Sequence, residues 1–164
     1  MFKKLLVAIM IALPAMGFAQ KFGVVNTQTI VADLPDSKSA QEQLQAASQK
    51  FEDEFKKLND EFNKKYEAFQ NLAEDTPQTI RERQMGEIQA MSNSIQQFRV
   101  NAGQELDRLQ EQLFAPITQK ITDAIQAVGK EGSYTMIFEN QAPLYVGTDV
   151  VDVTSAVRGK LGLK

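Results

Sequence analysis

A chain of 164 residues with no histidine and no cysteine lacks the side chains that most often act as general base, nucleophile or transition-metal ligand, and no disulfide can brace it. Its 18 basic and 21 acidic residues give a net charge of −3, with no basic patch of the kind a nucleic-acid partner requires. Phosphate-binding loops of the GxxxxGK[ST] or GxGxxG type are also missing.

The first residues carry an export signature. Lys3 and Lys4 precede an apolar run from Leu5 to Ala15, and Gly17-Phe18-Ala19 offers small residues at the two positions a signal peptidase reads. Leu5 to Ala19, interrupted by Pro14, is too short for the roughly 20 residues of a membrane span, so the segment reads as a cleaved leader rather than an anchor. Cleavage after Ala19 leaves a product beginning at Gln20, and the loss of Lys3 and Lys4 takes the net charge from −3 to −5. No later stretch is apolar enough to span a bilayer, so the product is expected to be soluble, with no stable membrane insertion.

Phe22-Gly23-Val24-Val25-Asn26 reads as a strand, and Thr27 to Asp33 as a short helix ending at Leu34-Pro35. A long helix follows, with Asp36 or Ser37 as its expected cap and Ser39-Ala40-Gln41-Glu42 as an expected capping box, running to about Glu74. Asp75-Thr76-Pro77 breaks it. A second long helix is expected from about Gln78 to Val128, ended by Gly129 and Gly132. Tyr134-Thr135-Met136-Ile137-Phe138 and Leu144-Tyr145-Val146 read as two further strands around an Asn140 to Pro143 turn. A terminal helix capped near Asp152 or Thr154, with Val157 and Leu161 on one face, closes the chain.

Within the long helices the apolar stripe follows elevens. It runs through Leu44, Ala47, Phe51, Phe55, Leu58, Phe62, Tyr66, Phe69 and Ala73 in the first, and through Ile95, Phe98, Ala102, Leu106, Leu109, Leu113 and Ile117 in the second. Eleven residues in three turns lies close to the natural helical period, so two such helices can pack almost straight. Folding the pair at residues 75 to 78 sets partners whose numbers sum to about 153, with Phe51 against Ala102, Ala47 against Leu106, Leu58 against Ile95 and Leu44 against Leu109. Pro116 then falls level with Ser37, where it should bend the second helix as its partner ends.

These elements predict an α+β fold, mainly α: a long antiparallel helical hairpin, coiled-coil-like, of residues 37–116, on a small β-containing base of residues 20–36 and 117–164. An arm of roughly 57 Å, exposing most of each helix and weakened by Gly86 and Gly103, should bend and splay. Three short strands rarely bury enough apolar area to stand alone, so the base is expected to self-associate, with Phe22, Val24, Tyr134, Met136 and Phe138 as candidate oligomerisation residues. Neither a catalytic residue nor a cofactor nor a metal is expected. The densest acidic cluster, Glu52-Asp53-Glu54, is interleaved with Lys50, Lys56 and Lys57 as an ion-paired helix face would be.

The signal peptide, the opening Phe22-Gly23-Val24-Val25-Asn26, the Leu34-Pro35 step into Lys38-Ser39-Ala40-Gln41-Glu42-Gln43-Leu44, the hairpin, the Gly132 to Phe138 strand and Asp152-Val153-Thr154 occur in an order that resembles the Skp/OmpH family of periplasmic chaperones. The resemblance implies a homotrimer whose bases join while the arms project around a cavity, and ATP-independent holding of unfolded outer-membrane proteins in the periplasm. Candidate client contacts lie in the distal half of the arm: Phe62, Tyr66, Phe69, Met85, Ile88 and Met91, where methionine's pliable thioether suits varied partners. Aromatics at regular helical steps are usually core, so the same six also read as residues that close the seam between the helices, and the two roles are compatible. Basic arms that bind acidic surfaces are familiar in this family, whereas residues 36–130 here carry 12 Lys and Arg against 16 Asp and Glu. A lipopolysaccharide or phospholipid role is therefore not carried over. The alternative is a non-catalytic structural adaptor of the cell envelope, for which a hydrophobic tip would be expected rather than the polar Asp75-Thr76-Pro77-Gln78-Thr79.

Overall fold

The computed structural model describes residues 20–163, and the leader assigned to residues 1–19 lies outside them. In chain order the elements are strand β1 (Phe22–Val25), helix α1 (Thr27–Asp33), helix α2 (Pro35–Gln70), helix α3 (Gln78–Glu131), strands β2 (Met136–Glu139) and β3 (Val151–Asp152), and helix α4 (Thr154–Lys160). The protein is thus mainly helical, with two long helices and one small sheet. The chain divides into two compact units, residues 28–120 and residues 20–27 with 121–163.

The first unit is the helical hairpin. Lys65 Nζ lies 3.0 Å from Glu87 Oε2, the Phe51 and Phe98 rings meet edge to face at 6.1 Å, Arg99 sits over the Phe55 ring at 5.7 Å, and Lys120 Nζ is 2.7 Å from Asp36 Oδ2. Each of these pairs lies within a few residues of the register derived from folding the chain at residues 75 to 78. The seam consists of Ile88, Ile95, Ala102 and Ile117, buried on α3, against half-buried Leu44, Phe51, Phe55, Leu58 and Phe62 on α2. Small Ala102 shares a cleft with Phe51 and Phe55, so large side chains meet small ones.

Pro116 lies inside α3 and lines a groove with Asp36, Ser39, Ala40 and Gln43, at the first turns of α2 as the register requires. There the proline leaves one hydrogen bond out of α3 where its partner begins, while the helix itself runs on unbroken to Glu131.

The start of α2 departs from the sequence-based expectation. Pro35 takes the first helical position and Leu34 the cap, with no side-chain capping bond; the Leu34 carbonyl accepts from the Ser37 and Lys38 amides. Proline fits here because its absent N–H would have had no helical partner, and buried Leu34 anchors the entry. The expected capping box does not form: Ser39 Oγ accepts from the Gln43 side chain instead. Ser37 is turned inward, 1% exposed, with its Oγ unpartnered. A serine cap replaced by alanine would cost about 1 kcal/mol. Ser37→Ala is expected instead to leave stability unchanged or raise it by about 1 kcal/mol, because it removes a buried hydroxyl that bonds to nothing; a denaturant titration reads the sign.

At the far end α2 stops at Gln70, short of Glu74, and Arg81 ties the turn by donating to the carbonyls of Ala73, Glu74 and Thr76. Gly129 lies within α3, which continues to Glu131. The chain reverses at Ser133, whose φ of 53° is left-handed, while the Gly132 amide donates to the Val128 carbonyl and the Tyr134 amide to that of Gly129.

The second unit is built on a three-stranded sheet of order β2-β1-β3, parallel throughout. Phe22 pairs with Met136 and Val24 with Phe138, so these four share one face; Gly23 and Ile137 occupy the other. The turn from β1 into α1 is tied from two sides, since Glu139 accepts from the Thr27 amide and Thr154 Oγ1 from that of Asn26. Hydrogen bonding by the Thr154 side chain foremost, and by the Thr154 amide that donates to Asp152 Oδ1 at the start of α4, holds the Asp152 carboxyl below its usual range. Its contribution to stability is accordingly present above the usual carboxylate range and lost only as pH falls through the depressed value. Val153 and Val157 are buried.

One strand assignment is corrected. Leu144-Tyr145-Val146 is not a strand; the third strand is Val151–Asp152, which takes the second edge of β1. Strand propensity is chiefly a preference for a paired, half-buried surface. Within one chain residues 144–146 have neither: Leu144 is 108% exposed and Tyr145 85%.

Candidate functional site

The residues singled out in the distal hairpin come from two helices. On α2, Phe62 and Tyr66 are one turn apart and their rings stack with centroids 6.1 Å apart and planes 7° from parallel. Phe62 and Phe69 are half-buried, while Tyr66 is exposed. On α3, Met85 is exposed, Met91 half-buried, and Ile88 buried in the seam. The six therefore differ in access: Ile88 closes the hairpin, and Tyr66 and Met85 present apolar surface to solvent. Ile88 falls two steps before Ile95 on the same stripe, so its burial was implicit in the periodicity.

Ion pairs hold the two helices at this level. Glu87 bonds Lys65 across the seam and Arg83 one turn back, at 3.0 and 3.2 Å, and these cations, Lys65 foremost, keep its exposed carboxyl below the usual range. Beside them lies a cleft of about 180 Å³ lined by Lys65, Ala68, Arg83, Gln84, Glu87 and Ile88. A second cleft, of about 260 Å³, opens midway along the hairpin between Phe51 and Phe55 on α2 and Phe98, Ala102 and Leu106 on α3. The sequence had marked these five as seam residues. It did not show that the seam gapes there, because the stripe records which way a residue faces and not how closely the helices approach.

In the sheet-containing unit, Phe22 is half-buried and Val24 buried, whereas Met136 and Phe138 on the same sheet face remain exposed. Tyr134 is half-buried on the opposite face: a Cβ at Gly23 would lie 3.3 Å from both its ring and Ile137, and the Lys21 ammonium sits 4.1 Å above the ring. Lys21 Nζ also donates to the Gly132 carbonyl. Exposed Leu144, Tyr145 and Val146 add a second apolar surface to this unit, one that sequence reasoning had assigned to an intramolecular strand.

Among the described residues no cluster of three or more acidic side chains could hold a metal ion, and no helix is long and apolar enough to cross a membrane. The arrangement offers apolar contacts, side-chain amides and a few ion pairs, which suit adhesion to another chain.

Comparison with known proteins agrees with this layout. Residues 21–161 match the family described as outer membrane protein (OmpH-like). No curated protein matches significantly. Among solved structures, the chain is similar to a candidate outer membrane chaperone (OmpH-like) from Caulobacter crescentus CB15, with a TM-score of 0.73 and 17% identity over 87% of this chain and 83% of that one. At that identity the likeness establishes the fold.

Proposed function

The chain belongs to the OmpH-like family of outer membrane proteins, and from that premise we propose that it is a chaperone of the periplasm, an ATP-independent holdase that binds unfolded outer-membrane proteins among the hairpins of a homotrimer. The observation that carries this reading is the unsealed seam. Phe62, Phe69 and Met91 are only half-buried, and Tyr66 and Met85 are exposed. A hairpin evolved only as a strut would gain by covering them.

A holdase needs no reacting group. It needs more affinity for unfolded than for folded chains, which mass action converts into suppressed aggregation. Weak apolar contacts repeated on several hairpins supply it, because once one holds, the next forms at high effective concentration. Self-association has its own support. Met136, Phe138, Leu144, Tyr145 and Val146 give the sheet-containing unit an exposed apolar surface that a second and third copy would cover. The leader of residues 1–19 is the basis for the periplasmic assignment.

Two measurements test the proposal. Mature protein should sediment as a trimer; a monomer would remove the shared enclosure. Added in stoichiometric amount and without ATP, it should keep a urea-diluted outer-membrane protein from scattering light. An envelope adaptor that docks one defined partner would leave the scattering unchanged.

A further inference from the structure

We propose that the solvent face of α3 between Met85 and Gln104 is the wall against which an extended, uncharged stretch of unfolded polypeptide lies, while the outer face of α2 stays in water. This rests on the client-binding reading above and adds to the seam contacts of both helices one solvent face, that of α3 rather than that of α2.

The two helices divide the charge unequally. Helix α2 carries 14 charged side chains in 36 residues. From residue 85 to residue 104, α3 carries two, and both are already engaged, Glu87 with Lys65 and Arg83 and Arg99 over the Phe55 ring. Along the rest of this stretch, Gly86, Ala90, Asn93, Gln97, Val100 and Gln104 follow one another at steps of four and three, and every one is exposed. They form a continuous uncharged strip roughly 27 Å long at 1.5 Å per residue.

Covering a charged face with an uncharged chain strips water from ions that gain no partner, which is costly; covering this strip does not. Gln89 and Gln97 donate to Asn93 and Asn101 one turn on, at 3.3 and 2.8 Å. Each carboxamide has more donors and acceptors than that one bond uses, so the remainder can meet the peptide groups of an extended chain. Val100 and Met85, 54% and 49% exposed, receive apolar side chains. A glycine at 86 has no explanation within the chain: nothing lies within 4 Å of where its Cβ would be, and glycine costs a helix about 1 kcal/mol relative to alanine. Its bare backbone does permit another main chain to approach closely. The partner that fits is an extended segment with alternating apolar and polar side chains and few charges, the pattern of a transmembrane β-strand before it has folded.

The test uses full-length mature protein and a fluorescent, urea-unfolded outer-membrane β-barrel protein as probe. The variant Ala90→Glu/Asn93→Glu/Gln97→Glu is compared with Gln41→Glu/Gln45→Glu/Asn63→Glu, which adds the same charge at exposed positions of α2. The α3 variant should raise Kd at least ten-fold and the α2 variant less than two-fold, with wild-type binding changing less than two-fold between low and moderate salt. A photocrosslinking residue at Asn93 should capture the probe and one at Gln45 should not, a readout that holds even if the added charges disturb the helix. Equal loss in the two variants, or equal capture, overturns the assignment while leaving client binding intact. A changed oligomeric mass in the α3 variant also overturns it, placing a second copy on the strip. A wild-type protein that binds no unfolded probe removes the client reading and this inference together.

Discussion

The double variant Leu144→Asp/Tyr145→Asp is expected to sediment as a monomer at concentrations where the wild-type chain forms the trimer proposed above, with little loss of helical signal. Neither side chain touches enough of its own chain to matter, since both stand almost wholly in solvent. Any change in mass therefore reports the contact between copies. Burying a leucine or a large aromatic side chain is worth about 1.5–3 kcal/mol each, and cyclic symmetry repeats the contact at every interface. Aspartate forfeits that gain and adds the cost of desolvating a carboxylate. Two such changes per interface should weaken association by several orders of magnitude. A variant that remains trimeric would show that residues 144–146 lie outside the contact and would leave Met136 and Phe138 to carry it.

The second large effect concerns one substitution with opposite signs at different glycines. A Cβ at Gly132 would collide with the Tyr134 ring and stand 3.1 Å from the Val128 carbonyl oxygen. The ring has little room to swing aside, with Lys21 over its face and Gly23 close to its other edge. Gly132→Ala is expected to cost about 1–3 kcal/mol, the range for overfilling a packed site. Gly86→Ala and Gly103→Ala, where a Cβ meets nothing within 4 Å, should each stabilise α3 by up to about 1 kcal/mol. Thermal melts of the three variants read the contrast. A Gly132→Ala protein as stable as wild type would mean that the Tyr134 packing is not tight.

Much of the hairpin was legible because a helix records its own packing. The eleven-residue spacing of Phe51, Phe55, Phe98 and Ala102 fixed which faces meet, and Asp75-Thr76-Pro77 fixed where the chain turns, so the Lys65–Glu87 and Asp36–Lys120 pairs fall near the expected register. The entry to α2 was misjudged for a local reason. Asp36 and Ser37 are good caps in isolation, but Pro35 suits the first helical position better, and Leu34, apolar and buried, takes the cap without a side-chain bond. The sheet was harder. A strand is defined by its neighbour, and nothing in Leu144-Tyr145-Val146 tells that the free edge of β1 goes to Val151 and Asp152 instead. Among the candidate site residues, sidedness was readable and access was not. Ile88 and Tyr66 both sit on stripes, yet one is sealed and the other open, because how far two helices separate depends on the sum of side-chain volumes along the seam.

The pairing of β1 constrains the order in which the molecule can be made. Among the described residues Phe22–Val25 is the first regular segment to be synthesised, yet its partners are Met136–Glu139 and Val151–Asp152, and the Asn26 amide waits for a hydroxyl 128 residues away. The helices can form and pair from neighbouring stretches of sequence within microseconds. The sheet must close a loop of more than a hundred residues and cannot begin until nearly the whole polypeptide has arrived. If the chain holds unfolded clients as proposed, it spends its own nascent life with a solitary strand exposed, vulnerable to the mispairing from which it would shield them.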